Sequence, residues 1–230
     1  MKAIILAGGF GTRLREHVPD LPKPMAPVAG RPFLEYVLDQ LIAGGVSEII
    51  LSVGYRADTI MNYFGKSYRN VTVNYAVETE PLGTGGAISH ALSKKDDEPV
   101  LVLNGDTFLN IDYDELMKWY KKAPSQVAMV LKEVSEAVRY GAVLVSGERV
   151  SGFLEKGKVG PGLINAGVYI IKPDVFEIFG LSGNFSFEVD LLQKYCETLS
   201  PRAFLTDDYF IDIGVPDDYD RAQYELQTVL

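Results

Sequence analysis

Cysteine and histidine are almost missing from this chain of 230 residues. A single cysteine, Cys196, excludes an internal disulfide and a cysteine-rich zinc site, and His17 and His90 are too few for a His-based metal cluster. Positive charge is also in deficit. Lys plus Arg total 22 against 31 Asp plus Glu, a formal net charge of −9, which excludes a broad basic face for nucleic acid. Any phosphate ligand must instead be met by a few placed cations and backbone N–H groups. Long apolar runs are absent too. Ala3-Ile-Ile-Leu-Ala7 reaches glycine after five residues, well short of the roughly 18 that span a bilayer. No small-residue cleavage site follows a long apolar core, so no secretory signal is read. The expectation is a soluble, cytoplasmic chain with no membrane and no nucleic-acid partner. What remains is the balance of a globular enzyme, 47% hydrophobic and 23% charged.

Apolar runs and helical spacings alternate over the first half. Ala3–Leu6 ends in Gly8-Gly9 and fits a strand buried on both faces. Arg31-Pro32 opens a helix over Phe33–Ala43, whose apolar residues Phe33, Val37, Leu38 and Leu41 recur at helical spacing until Gly44-Gly45. Strands follow at Ile49–Val53, Val71–Val77 and Val100–Leu103. Helices follow at Ala57–Phe64, Gly83–Leu92 and from an Asp112 cap to about Lys122. This order implies right-handed crossovers and a mostly parallel sheet. After Gln126 the rhythm becomes strand-rich (Gln126–Leu131, Ala142–Val145, Val150–Leu154, Ile164–Ile171). That part either extends the sheet or lays a small antiparallel layer over it. Helices return at Phe187–Thr198 and Pro216–Gln227. The fold expected is α/β, a Rossmann-like sheet flanked by helices with a small antiparallel extension. It is read as one domain over 1–230, an alternating part (1–125) followed by a strand-rich part (126–230).

A glycine-rich turn after a first strand is where a doubly wound sheet receives phosphates. Here it reads Leu6-Ala7-Gly8-Gly9-Phe10-Gly11-Thr12-Arg13-Leu14. Leu14 stands where a dinucleotide fingerprint needs its third glycine, so a Rossmann cofactor site is disfavoured. Gly152 to Val159 has P-loop spacing but ends in a residue that cannot ligate magnesium, and it is rejected. Lys23 lies between Pro22 and Pro24, which stiffen the backbone around a cation suited to meeting a polyphosphate. A solvated lysine in a proline turn explains Lys23 equally well. Asp106 and Asp212 each follow a short apolar run, the setting in which carboxylates from distant parts of a chain converge on Mg²⁺, or in which each merely caps a loop.

The compound Leu6-Ala7-Gly8-Gly9-x-Gly11-Thr12-Arg13-Leu14 with Pro22-Lys23-Pro24 resembles the sugar-1-phosphate nucleotidyltransferases. The likeness continues through Glu80-Pro-Leu-Gly-Thr-Gly-Gly-Ala87, Asn104-Gly-Asp106, Tyr140-Gly141, Phe153-Leu-Glu-Lys156, Asn165-Ala-Gly167 and Phe210-Ile-Asp-Ile-Gly214. It implies a nucleotide-diphospho-sugar transferase fold and transfer of a nucleoside monophosphate from a triphosphate onto a sugar 1-phosphate. Arg13, Lys23, Asp106, Lys156 and Asp212 would then be catalytic, with Asp106 and Asp212 holding Mg²⁺. Leu6, Ala7, Gly8, Gly9, Gly11, Thr12, Arg13, Lys23, Glu78, Gly83, Thr84 and Gly105 would bind the nucleotide. Tyr140, Gly141, Glu155, Lys156, Asn165 and Gly167 would bind the sugar phosphate, although Glu155 and Lys156 also read as a surface ion pair. The chain stops at Leu230, without room for the C-terminal β-helix of many relatives. Homo-oligomerisation stays open.

Counting back from Gly83, Glu78 stands where thymidylyl-transferring relatives carry a base-reading glutamine, although the alignment crosses a loop and a slip would give that place to Glu80. An ionised carboxylate has only acceptors, and guanine offers two adjacent donors, N1–H and N2–H₂, so GTP is the favoured triphosphate. Within the family, Arg15 through Gly30, Val53-Gly-Tyr55 and Asp212 through Tyr219 resemble the members that guanylylate D-glycero-α-D-manno-heptose 1-phosphate. Mannose 1-phosphate with GTP, a uridylyl or thymidylyl transfer to another sugar, and a non-catalytic sugar-nucleotide-binding regulator remain alternatives. His17 and His90 are expected to have no catalytic role, and Cys196 and Trp119 to pack in the core.

Overall fold

The computed structural model describes residues 1–11, 14, 18–92, 98–157 and 160–229. Over the first half the elements are β1 (Lys2–Leu6), β2 (Pro27–Val28), β3 (Arg31–Pro32), α1 (Phe33–Ala43), β4 (Glu48–Val53), α2 (Ala57–Phe64), β5 (Ser67–Tyr68), β6 (Val71–Val77), α3 (Gly83–Ala91), β7 (Val100–Asn104), β8 (Thr107–Leu109) and α4 (Tyr113–Lys122). The second half contributes β9 (Val127–Val134), β10 (Val143–Ser146), β11 (Arg149–Phe153), β12 (Gly162–Ile171), α5 (Val175–Ile178), α6 (Cys196–Leu199), β13 (Arg202–Thr206), β14 (Phe210–Asp212) and α7 (Pro216–Val229).

β1 is apolar from Ala3 to Leu6, after Lys2, because both its edges and both its faces are covered there. It pairs in parallel with β4 on one side and β7 on the other, and β6 adds in parallel beyond β4. The whole sheet has ten strands in the order β10-β11-β13-β9-β12-β7-β1-β4-β6-β5. β12 runs antiparallel to both β7 and β9, while β13 joins β9 in parallel. The strands after Gln126 thus extend the sheet instead of layering over it. Two two-stranded sheets stand apart, β2 with β3 and β8 with β14.

Alternate side chains of the central strands enter opposite cores, as the pleat requires. Ala3, Ile5, Leu101 and Leu103 pack with residues of α1, α4 and α7. Ile4, Val102 and Ile50 pack with Ile88 of α3 and with Phe187, Leu191 and Leu192. Cys196 is buried in the second core, and Trp119 packs half-buried against the first.

The departures from expectation have local causes. Phe187–Thr198 is not one regular helix. Phe187–Gln193 is wound as a π-helix, and α6 starts only at Cys196. Ser186 caps the wide segment, its Oγ accepting from Val189 N–H at 3.1 Å, and widened turns of this kind are common beside functional sites. β13 carries no clear alternation because Arg202 is itself buried. Its guanidinium lies 3.8 Å from the centre of the Trp119 ring and donates to Glu148 at 2.7 Å, so a charge occupies a core position.

Asp112 caps α4 as expected. Its carboxylate accepts from Asp114 N–H at 2.9 Å and Glu115 N–H at 3.1 Å. Acidic residues occupy the first turn of the helix and Lys121 and Lys122 the last, complementing its dipole. Asp112→Ala should cost about 1 kcal/mol and lower Tm by roughly 2–4 °C in a chain of this size. Calorimetry showing no shift would contradict the cap.

Candidate active site

The strand order reverses at β1. β4 and β6 build outward on one side, and the chain then returns to place β7 on the other. A crevice outside the carboxyl ends of β1 and β7 is the consequence. Leu6 is in register with Ser52 of β4 and Asn104 of β7. The ladder continues past the strand ends: Gly105 N–H donates to Leu6 C=O at 2.9 Å, Ala7 N–H to Ser52 C=O at 2.8 Å and Glu78 N–H to Val53 C=O at 2.8 Å. A cavity of about 610 Å³ opens there.

Most of the nucleotide-binding residues expected from the sequence line this cavity: Leu6, Ala7, Gly8, Gly9, Gly11, Lys23, Glu78, Gly83 and Thr84. Gly105 lies just beneath it through its bond to Leu6. Thr12 and Arg13, like His17 and Lys158 with Val159, fall outside the described residues. His90 is exposed at the end of α3.

Two carboxylates and one ammonium define the chemistry. Lys23 Nζ lies 2.6 Å from Asp106 Oδ2 and 3.4 Å from Asp212 Oδ1, and its side chain is only 9% exposed. The small sheet brings the two aspartates together: β14 pairs antiparallel with β8 with Asp212 opposite Thr107, and Ile213 N–H donates to Asp106 C=O at 3.1 Å. Burial pushes the Asp212 carboxyl above its ordinary pKa; the Lys23 ammonium opposes that shift and the Asp106 carboxylate adds to it. Gly214 N–H also donates to Asp212 Oδ1 at 2.7 Å. A Cβ at 214 would stand 2.8 Å from Asp212 Oδ1 and 3.0 Å from Lys23 Nζ, so a larger residue there would shift these two side chains.

The pair of hard oxygen donors fits Mg²⁺. Among the described residues no group of three or more His, Cys, Asp or Glu side chains is set to hold a metal. Asp106 and Asp212 are the residues that would hold such an ion.

The sugar-phosphate residues do not line the cavity, nor does Asp212; Gly167 stands against Asn104, which does. Tyr140 packs edge-on against Phe210 at 5.9 Å, two residues before Asp212, and its hydroxyl accepts from Arg139 at 2.8 Å. A Cβ on Gly141 would lie 3.7 Å from Lys156 Cγ, which places the two residues side by side, and one on Gly167 would lie 2.6 Å from Asn104 Nδ2. Glu155 and Lys156 are both exposed, and no ion pair joins them. Asn165 is the residue whose side chain is most committed elsewhere. Its amide donates to Tyr169 OH at 2.6 Å and accepts from Gly167 N–H at 3.0 Å across a register shift in β12.

Several lining residues had been given no role: Glu188, Asn104, Tyr55 and Phe10; Glu80, the alternative to Glu78, lines the cavity as well. Thr84 Oγ donates to Glu188 Oε2 at 2.6 Å, and Ser186 Oγ to the same oxygen at 3.1 Å. From sequence, Glu188 reads only as an acidic residue suited to a helix start. The π-helical winding that carries it to the cleft has no local signature.

Triphosphate-sized space, a glycine-rich loop and a cation between two carboxylates define a nucleotidyl-transfer site. The nucleotidyl transferase family profile matches residues 2–229, and the chain belongs to that family. It is 46% identical over 227 residues, 99% of both chains, to the D-glycero-alpha-D-manno-heptose 1-phosphate guanylyltransferase of Aneurinibacillus thermoaerophilus. Identity to the enzyme of the same description from Campylobacter jejuni is 45% over 220 residues, 95% of this chain and 97% of that one. Among solved structures, HddC from Yersinia pseudotuberculosis complexed with GMP-PN superposes with a TM-score of 0.87 at 39% identity, covering 98% of this chain and 99% of that one.

Gly214→Ala should displace Lys23 from between its carboxylates. Misplacing such a group by about 1 Å lowers turnover on the order of 10²-fold. A folded Gly214→Ala enzyme with undiminished pyrophosphate release would show that the clamp geometry is not required.

Proposed function

We propose that this protein transfers GMP from GTP onto D-glycero-α-D-manno-heptose 1-phosphate, releasing pyrophosphate and forming GDP-heptose for capsule or lipopolysaccharide assembly. The observation that carries the transfer chemistry is the Lys23–Asp106–Asp212 cluster at the strand-order reversal, beside the glycine-rich loop. The heptose assignment rests on the likeness to the two guanylyltransferases. The choice of GTP has its own support in the placement of Glu78, whose carboxylate lines the cavity at the carboxyl end of β6.

A sugar-phosphate oxygen attacks the α-phosphorus in line and pyrophosphate leaves, so the protein's work is positioning and charge stabilisation. Backbone N–H groups of the loop from Gly8 to Gly11 approach the phosphates without side-chain obstruction. Lys23 holds triphosphate oxygens, and Arg13 takes up charge that builds on the α-phosphate and pyrophosphate. Lys156, exposed beside Gly141, receives the phosphate of the sugar. Glu155 accepts from sugar hydroxyls. Asp106 and Asp212 would hold Mg²⁺, which would supply neutralisation of phosphate charge. Among the described residues no helix is long and apolar enough to cross a membrane, and the reaction is assigned to the cytoplasm, where nucleoside triphosphates are made.

Pyrophosphate release with GTP, ATP, CTP, UTP and dTTP, each over a panel of heptose, mannose, glucose and N-acetylmuramate 1-phosphates, tests the reading. The expected optimum is GTP with the heptose. A preference for UTP or dTTP would overturn the guanine argument, faster turnover of mannose 1-phosphate the sugar assignment, and silence across the panel the enzyme itself. Arg13→Ala should lower kcat on the order of 10²–10³-fold, the usual loss for one such donor; unchanged turnover of the folded variant would remove Arg13 from the mechanism.

A further inference from the structure

β4 reads Glu-Ile-Ile-Leu-Ser-Val, and its one hydroxyl, Ser52, is completely buried. A polar group sealed inside a sheet needs an acceptor. Ser52 Oγ finds its acceptor in the side chain of Glu78, donating to Oε1 at 3.3 Å. The other oxygen, Oε2, accepts from Leu82 N–H at 3.2 Å. The carboxylate is therefore held at both ends, from the sheet by a serine and from the α3 approach by a backbone amide. Gly8 leaves the space: a Cβ there would stand 2.6 Å from Glu78 Oε1.

An ionised carboxylate has about four lone-pair sites, two on each oxygen. With one site on each taken, one on each remains. Two parallel acceptors of fixed plane match two adjacent donors, N1–H and N2–H₂ of guanine. A carboxylate free to rotate would meet N1–H nearly as well but would lose the second, geometry-dependent bond. We infer that Ser52 is a positioning residue for base selection, fixing the plane of the Glu78 carboxylate so that the purine 2-amino group is read. This rests on the assignment of Glu78 to the base.

Comparison of GTP with ITP, which lacks only the 2-amino group, isolates that bond. In wild type kcat/KM should favour GTP. Ser52→Ala, which adds no bulk to the core, should raise KM for GTP about five- to tenfold, the scale of one charge-assisted hydrogen bond partly lost. It should change kcat less than twofold and shrink the GTP:ITP preference by a similar five- to tenfold. Ser52→Thr, which keeps the hydroxyl, should restore the preference. Gly8→Ala, whose Cβ would stand 2.6 Å from Oε1, crowds that oxygen and should also shrink the preference, which keeps the test open should Ser52→Ala fold poorly. A Ser52→Ala enzyme with an unchanged GTP:ITP ratio, whatever its KM, would reduce Ser52 to a structural role and overturn the inference. Glu78→Gln separates the two levels: if it leaves the ratio untouched, the assignment of Glu78 to the base fails. If it abolishes the ratio while Ser52→Ala does not, only the role of Ser52 fails.

Discussion

The position of β1 governs this molecule. It is paired in parallel on both sides, and the connections to its two neighbours leave the sheet in opposite senses. No loop can then cover the carboxyl ends of β1 and β7 together, and the crevice between them is a product of topology. Every residue with a claim on the nucleotide enters from an element that ends or turns at that crevice. The glycine-rich loop leaves β1, Glu78 follows β6, Asn104 to Asp106 follow β7, and Glu188 arrives from the π-helical segment.

Electrostatics complete what topology begins. Asp106 and Asp212 come from distant parts of the chain and repel each other, and Asp212 is partly stripped of water. β8 and β14 force the approach by pairing their backbones, and Lys23 offsets the repulsion from a stiff proline-flanked segment. A part-buried cation between two carboxylates is stable only when its partners are held in place. The backbone pairing and the bond from Gly214 supply that restraint. The same logic recurs on a smaller scale at Glu78, where a carboxylate facing the cleft is held by one buried hydroxyl and one backbone amide.

Local signals carried much of the fold. Phe33–Ala43, Ala57–Phe64 and Val71–Val77 have the bounds their periodicity and flanking glycines announce. Asp112 caps α4 as its residue type predicts. β13 was unreadable because Arg202 is buried against Trp119, so a charge stands where alternation demands an apolar residue. β8 and β14 are three residues each, too short for periodicity to register. The wide winding after Ser186 was missed because helical spacing in a sequence does not distinguish 3.6 residues per turn from a looser coil. For the site, Lys23 and the two aspartates stood out through their proline and glycine neighbours, whereas Ser52 and Glu188 had no mark of their own.

Residue order alone therefore settled the parts whose cause is local: which segments are strands or helices, where glycine lets a backbone approach an anion, and which residue types could meet phosphate. It also pointed to the kind of site, through the family resemblance that the glycines, the proline-flanked lysine and the acidic strand ends carry together. Folding in three dimensions settled the rest. It placed β7 against β1, drew Asp106 and Asp212 to one ammonium, turned Asn165 inward to Tyr169, and set Ser52 behind Glu78. These are distances between residues far apart in the chain. Such distances arise from strand pairing and from the need of every buried polar group for a partner, neither of which a linear pattern records.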